Sequence, residues 1–368
     1  MASVLVTGGA GFIGSHLVDA LVQKGHTVTV IDSLEPQVHR ARPSYLNPQA
    51  RYEFRDLREE GLLSRALADV DVVFHLAAMV GVGQSMYQID QYVEANTFGT
   101  AVLLQCLVDR PVDRLVVASS MSIYGEGLYR TPDGELVSGV ERDLEHLSKQ
   151  RWEPEDAAGQ PLTPVATPES KVPALPSVYA LTKYDQERLC LTVGRAYRIP
   201  TVALRFFNIY GTRQALSNPY TGVLAIFASR VLNGKPPLIH EDGRQSRDFV
   251  CVRDVATACR LAMDADRVSG HAINIGSGTR HSIIEIADRI CSALGRQDLR
   301  AEITGRYRMG DIRHCFADIT AARELLGYEP AVGLDDGLAE LAEWLRDQRP
   351  ADRVDEAAAE LSARGLTM

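Results

Sequence analysis

Val4, Leu5 and Val6 open the chain as an apolar, β-branched run, and from Phe12 the period of the apolar positions changes. Phe12, Ile13, Leu17, Leu21 and Val22 fall at helical spacing. The pattern predicts a short buried strand followed by an amphipathic helix. The same rhythm returns three times. HTVTVIDSL predicts a second strand ending at Asp32. VDVVFHLAA from Val70 and RLVVASS from Arg114 predict two more buried strands, and NTFGTAVLLQCLVDR predicts the helix between them. Alternation of this kind predicts an α/β fold with a parallel, doubly wound sheet.

From Gly125 to about Pro176 the pattern lapses into a stretch rich in Pro, Gly, Glu and Asp, where ERDLEHLSKQRW alone hints at a helix. So long a connection reads as a lid or substrate wall, or as a surface insertion. Regular structure resumes with SVYALTKYDQERLCLTVGRAY, a long helix that Ser177 can cap. PTVALRFFNIYG reads as one strand. Beyond Thr212 a helix near Val223–Leu232, a strand at DFVCV, a helix from Asp254, a strand at AINIGSG, a helix from Ser282 and a helix over 334–346 predict a smaller second lobe. The expected division is 1–205 with an insert near 126–170, then 206–350, with the chain able to cross between lobes. A tail over 351–368 is expected as one exposed amphipathic helix.

Bulk composition narrows the function classes. The 368 residues are 45% hydrophobic, enough for a large core, and carry a formal net charge of -9. No Lys/Arg run appears, which argues against nucleic acid as a partner. No apolar run is long enough to span a bilayer, and the apolar start lacks a basic leader, so a cytoplasmic protein is expected. Six cysteines are scattered without a C-x-x-C pair, which reads as reduced and structural. No Cys/His grouping suggests a metal.

The candidate chemistry begins between the first strand and helix. Gly8, Gly11 and Gly14 form a G-x-x-G-x-x-G turn. Glycine lets backbone N–H groups approach a ligand, and a helix N-terminus just beyond is an anion site. The stretch reads as a pyrophosphate cradle, or as a turn with no ligand. Asp32 stands eighteen residues after Gly14, where a carboxylate can accept from ribose hydroxyls; it can equally cap a turn. Ser33, Leu34 and Glu35 follow it with no arginine for a 2′-phosphate, which favours NAD over NADP. Two strands end in small residues, Ala77-Ala78 and Ser119-Ser120, leaving room for a flat cofactor. Tyr179 and Lys183 stand four apart on a helix and share a face. A nearby ammonium favours the phenolate of a tyrosine that ordinarily titrates near pH 10. Ser120 can hydrogen-bond the reacting hydroxyl. Alone, such a Tyr–Lys pair also reads as an exposed helical pair.

Taken together, TGGAGFIG, Asp32, RDL ending at Leu57, HLAA at His75–Ala78, NTFGT from Asn96, SSMSIYG from Ser119, YALTK, RFFNIYG, RDFVCVRDVA and RMGDIRHCFAD resemble the extended short-chain dehydrogenase/reductases of the nucleotide-sugar epimerase and dehydratase family. The resemblance covers roughly residues 1–345, with the insert as the main departure. It implies a Rossmann sheet with a smaller C-terminal substrate-binding α/β lobe. For NAD it implies Gly8, Gly11, Phe12, Ile13, Gly14, Asp32, Asp56, Leu57, Leu76, Ala77, Ala78, Asn96, Tyr179, Lys183 and Phe206. For a nucleotide-diphosphate sugar it implies Ser120, Ser122, Asn208, Gln214, Val223, Arg247, Arg308 and Asp311. Ser120, Tyr179 and Lys183 are the implied catalytic residues. It also implies a homodimer through the helices after Asn96 and around Tyr179.

Within that family the first step is shared: C4 of the sugar is oxidised. Family dehydratases carry an Asp-Glu pair just after the catalytic hydroxyl residue, and decarboxylases keep the Glu. Here those positions are Met121 and Ser122, which favours epimerisation at C4. VGVGQSMY and RQALSNPYTGV resemble a dTDP-L-rhamnose 4-epimerase-like subgroup, and Val80 and Met121 suit an apolar C6 methyl. UDP-glucose or UDP-glucuronate stays open. Members acting on glucuronate can carry a Thr where Asn208 stands and an Arg where Ala215 stands; Arg213 is close by. A net reductase, or an NAD-binding sensor without turnover, are the other readings.

Overall fold

The opening apolar run forms strand β1 (Ser3–Thr7), and the helical spacing after the glycines forms helix α1 (Phe12–Gln23). The computed structural model describes residues 1–367. Strands β2 (Thr27–Ile31), β3 (Arg51–Glu53), β4 (Val72–His75), β5 (Arg114–Ser120), β6 (Thr201–Phe206) and β7 (Ala272–Ile275) join β1 in one sheet. Its order is β7-β6-β5-β4-β1-β2-β3, and every pairing is parallel. This is the doubly wound Rossmann arrangement. The order reverses at β1, between β4 and β2, which opens a crevice beyond the strands' carboxyl ends.

Helices α2 (Gly99–Asp109), α3 (Val178–Tyr197), α4 (Val223–Leu232), α5 (Val252–Asp264), α6 (Ile283–Ala293), α7 (Leu334–Leu345) and α8 (Val354–Ala363) complete the longer elements. Leu17, Val18 and Leu21 of α1 with Ala258, Cys259 and Ala262 of α5 cover one face of the sheet. Leu103, Leu104 and Leu107 of α2 with Cys190 and Leu191 of α3 cover the other. Strands covered on both faces read as unbroken apolar runs, as β1, β4 and β5 do. Helix α3 starts where Ser177 Oγ accepts the Ala180 N–H at 3.1 Å.

PTVALRFFNIYG is two strands, not one. After Phe206 the chain leaves the large sheet, and Asn208–Tyr210 pairs with Ser246–Cys251 in a second sheet. One apolar run serves both sheets, and periodicity carries no mark of the change. Ser246–Cys251 also pairs with Arg280–Ser282 and His314–Cys315. Leu224 and Phe227 of α4, Ile286 and Ile290 of α6, and Leu338, Leu341 and Leu345 of α7 form this lobe's own core. Strand β7 then returns to the large sheet, so the chain crosses between lobes.

The stretch after Gly125 is built, although its pattern is silent. Leu128–Arg130 pairs antiparallel with both Leu136–Val137 and Thr163–Val165, and a short helix spans Leu144–Ser148. Strands of two or three residues are too short to show a period. The insert is neither lid nor loose surface. It is fastened to the second lobe: Arg142, paired with Glu126 inside the insert at 3.0 Å, also pairs with Glu241 at 2.6 Å, and Glu153 pairs with Arg313 and with His314.

The tail also departs from expectation. Helix α8 is not exposed along its length, because Ala357 and Leu361 are buried against the rest of the molecule. Among the described residues no helix is long and apolar enough to cross a membrane. All six cysteines are free.

Candidate active site

A cavity of about 800 Å³ runs from the glycine turn, past the ends of β1, β4 and β5, into the second lobe. That is within the usual size of a small-molecule site. It is lined by every catalytic, cofactor and substrate residue that the family resemblance implies except Asn96, and Arg213 does not line it either.

Gly8 has φ +73°, and a Cβ there would meet Ala77 N at 2.8 Å. At Gly14 a Cβ would lie 2.2 Å from Gly8 O. Any side chain at either position would push the turn off the sheet. Gly11 caps α1 with no side-chain bond, so the N–H groups of Phe12, Ile13 and Gly14 have no partner within the helix. Free N–H groups at a helix N-terminus, with no Cβ in the way, fit an anionic pyrophosphate. Asp32 caps the turns on either side of it and faces the cavity. Its Oδ2 accepts Ala10 N–H and its Oδ1 accepts Leu34 N–H, each at 2.9 Å, while the residue lines the cavity. Asp56 and Leu57 lie further along, and Arg58 takes both Asp56 oxygens.

Asn96 stands behind the wall. It is fully buried; its Oδ1 accepts Met79 N–H at 2.7 Å, and its Nδ2 donates to Met79 O and Thr182 Oγ1. With both polar atoms engaged, it holds the end of β4 against α3. A direct contact with a cofactor is not what this placement offers.

Ser120, Tyr179 and Lys183 meet at the centre. Tyr179 is anchored by its N–H, which donates to Ser85 Oγ at 2.9 Å, and Tyr92 packs edge-on against its ring. Burial pushes the Tyr179 hydroxyl above its ordinary value, and a hydrogen bond with Ser120 opposes that. Ser122 Oγ donates to Ser120 Oγ at 2.8 Å. Lys183 is buried, and its Nζ donates to Gln186 Oε1 at 2.6 Å. Burial pushes the Lys183 ammonium down to about 8. The sequence reading assigns Lys183 the task of lowering Tyr179; here the groups acting on Tyr179 are burial and Ser120.

Behind Lys183 lies a polar network. Gln186 Nε2 reaches His75 Nε2 (3.2 Å) and Thr100 Oγ1 (2.9 Å), and His75 Nδ1 faces Thr7 Oγ1 (2.8 Å). Burial, with the Lys183 charge adding to it, pushes His75 down to about 3, so the folded chain holds it neutral. The unfolded chain takes up this proton as pH falls through about 6.5. Stability therefore falls as pH drops from about 6.5 towards 3, because the unfolded state binds more protons there. In urea denaturation from pH 7 to 4, His75→Asn is expected to lose stability less steeply than the natural chain. Equal slopes would contradict this.

The second lobe supplies positive charge. Arg247 donates to the backbone oxygens of Ser246, Arg313 and Ile312, and no carboxylate pairs with it among the described residues. Arg308 pairs with Asp311 at 3.0 Å, and Arg142 Nη2 donates to Asp311 O at 2.7 Å. Through that bond the insert braces the Arg308–Asp311 loop from outside; no residue from 123 to 178 lines the cavity. Asn208, Gln214 and Val223 line the same half. Asn208 Oδ1, His240 Nδ1 and Gln245 Oε1 are buried without a hydrogen-bond partner among the described residues, a cost that a polar ligand relieves. Arg213 turns away from the cavity. It pairs with Asp19 at 2.7 Å and lies over the Tyr45 ring.

Sequence reasoning missed Gln186, Arg142 and the α8 residues. Gln186 was findable, because it stands three residues after Lys183 on the same helical face. Arg142 acts across 99 residues on Glu241, a pairing with no local signal.

Residues 4–145 and 154–276 match the NAD dependent epimerase/dehydratase family, and the chain belongs to it. NAD is its cofactor. The dTDP-L-rhamnose 4-epimerase of Burkholderia thailandensis is 32% identical over 351 residues, 94% of this chain and 95% of that one. Among solved structures, the UDP-N-acetylglucosamine 4-epimerase of Methanobrevibacter ruminantium in complex with UDP-N-acetylmuramic acid matches with a TM-score of 0.77 at 30% identity, over 95% of this chain and 99% of that one. The UDP-glucuronic acid 4-epimerase of Bacillus cereus, in complex with UDP-glucuronic acid and NAD, matches with a TM-score of 0.77 at 29% identity, over 94% and 99%.

Proposed function

We propose that the chain is a nucleotide-sugar 4-epimerase for a UDP- or dTDP-hexose, with a dTDP-6-deoxy-L-hexose such as dTDP-L-rhamnose as the favoured substrate. The observation that carries this is the missing acid beside Ser120. Met121 and Ser122 follow it, and the carboxylates lining the cavity are Asp32, Glu35, Asp56, Glu94 and Asp311. The first four lie at the Asp32 and Arg58 end, and Asp311 is tied to Arg308. Elimination across C5–C6 needs an added acid and base that this centre lacks.

In this reading Tyr179 takes the proton of the C4 hydroxyl while Ser120 hydrogen-bonds the same oxygen. Ser122 donates both its N–H and its hydroxyl to Ser120 Oγ, at 3.2 and 2.8 Å, which fills the acceptor positions and leaves the Ser120 hydrogen for Tyr179 or substrate. Bound NAD supplies the acceptor for the C4 hydrogen and returns it. The glycine turn, Asp32 and Lys183 hold the cofactor. Arg247 and Arg308 grip the diphosphate, since a guanidinium pairs well with phosphate oxygens. Held by its diphosphate, the 4-keto ring is free to turn its other face to Tyr179. Val80 and Met121 give the cavity apolar lining, which suits a methyl at C6. Arg213 is committed to Asp19, and Arg247 and Arg308 are assigned to the diphosphate, so this reading leaves no further arginine of the second lobe for a C6 carboxylate among the described residues. Exposed Ile89, Val93, Phe98 and Leu181 on the helices around Tyr179 support a homodimer, which sedimentation velocity reads directly.

Proton NMR of the purified protein with dTDP-L-rhamnose, UDP-glucose and UDP-glucuronate in turn, without added cofactor, tests the function. A C4 epimer is expected with dTDP-L-rhamnose. A 4-keto-6-deoxy sugar or a pentose would instead mean elimination or decarboxylation. Unchanged spectra with all three would favour the sensor.

A further inference from the structure

The segment after Pro350 comes back to the cavity and is fastened there at three places. At its start Asp355 pairs with Arg230 at 2.7 Å, and Asp352 and Asp355 pair with Lys235 at 3.0 and 2.8 Å. Along α8, Glu360 accepts from the Tyr87 hydroxyl at 3.1 Å, Tyr87 bonds the Tyr220 hydroxyl at 2.7 Å, and the Arg364 guanidinium lies 4.2 Å from the Tyr87 ring centre. Past α8, Leu366 O accepts Met309 N–H at 3.0 Å, and Thr367 bridges to Arg308. Asp352, Asp355, Glu360 and Arg364 are thus spent on fastening the segment.

What α8 turns to the cavity is apolar, Val354, Ala357, Ala358 and Leu361; beyond it Leu366 and the polar Thr367 line the cavity at the Arg308 side. Leu361 is 4% exposed and fits over Gly83, where an added Cβ would come within 3.3 Å of both Leu361 methyls. Gly83 belongs to the turn that carries Ser85, the acceptor for Tyr179 N–H. Val80 and Met86 of the same stretch line the cavity as well. Leu361 therefore lies beside the turn that anchors Tyr179, and Thr367 touches Arg308. A ligand held by Arg308 and reacting at Tyr179 would pass this stretch.

We propose that this C-terminal segment is the outer wall of the sugar subsite, and that Leu361 with Ala358 selects a hexose whose C6 is apolar and uncharged over one with a C6 carboxylate. The inference rests on the nucleotide-sugar reading above. A carboxylate against this wall leaves water without a counter-charge, whereas a methyl loses nothing by leaving it. Hydrophobic pockets discriminate by roughly 10- to 200-fold for a group of this size.

The test uses the full chain, Leu361→Arg and Leu361→Gln. Both replacements are good helix formers, so α8 keeps its propensity, and calorimetry checks that the fold persists. The readouts are kcat/KM for the uncharged hexose that the natural chain turns over, and the inhibition constant of UDP-glucuronate against it. Leu361→Arg is expected to lower the first at least tenfold and to tighten UDP-glucuronate at least tenfold. Leu361→Gln is expected to lower kcat/KM with little change in UDP-glucuronate inhibition. Turnover with neither quantity moved in either variant overturns the wall alone. No turnover of any nucleotide hexose by the natural chain overturns the functional reading beneath it.

Discussion

Tyr179→Phe is expected to reduce kcat by about 10³-fold, within the range general acid–base groups contribute. The ring fills the same space, so its packing against Tyr92 persists, as does the backbone bond to Ser85. What is lost is the hydroxyl that, in the proposed reaction, exchanges a proton with C4. Binding of the nucleotide sugar is proposed to rest on the second lobe and is expected to change less than threefold. The comparison is steady-state kcat against a dissociation constant from calorimetry, on protein with equal NAD content. A tenfold loss or less in kcat would assign the proton transfer to another group. Loss of binding in step with kcat would make Tyr179 a structural residue.

The second large effect concerns the helix that carries the centre. Arg205 of β6 pairs with Glu187 of α3 through two hydrogen bonds, at 2.9 and 2.7 Å, and both side chains are buried. Ser119 Oγ donates to the same carboxylate at 2.7 Å. Glu187 stands four residues after Lys183, so this pair pins the catalytic helix to the strands bearing Ser120 and Phe206. Arg205→Leu leaves a buried carboxylate without its cation. Breaking a buried pair in this way costs about 3–5 kcal/mol. Replacing both partners by leucine is expected to recover most of that loss, because no orphan charge remains. Urea denaturation of the natural chain, the single variant and the double variant measures this. A single variant within 1 kcal/mol of the natural chain, about the worth of an exposed pair, would contradict the account.

These two residues also mark what a sequence shows and what it hides. Tyr179 and Lys183 share a helical face by spacing alone, and the Gly8, Gly11 and Gly14 pattern announces a close backbone approach, which at Gly8 and Gly14 leaves no room for a Cβ. Asp32 is legible because a strand delivers it at a fixed distance from that turn. The large sheet is legible for the same reason: its strands are buried on both faces and read as apolar runs. Asn96 fits a family pattern, yet its amide faces Met79 and Thr182, since pattern fixes a position and not a direction. The insert stayed silent because its strands are two or three residues long and its hold on the second lobe is made of ion pairs between distant residues. The C-terminal helix reads as surface because it is rich in Ala and Glu. Its apolar face is narrow, and only the fold reveals that Gly83 leaves room for Leu361.

The proposed epimerisation requires that the C4 hydrogen leave and return within one site. Incubation of the purified protein, without added cofactor, with the turned-over nucleotide hexose deuterated at C4 tests it. The account predicts a C4 epimer that keeps its deuterium at C4 after many turnovers, read by NMR and mass spectrometry. Deuterium lost to solvent, or found at C6 of a 4-keto product, would contradict it.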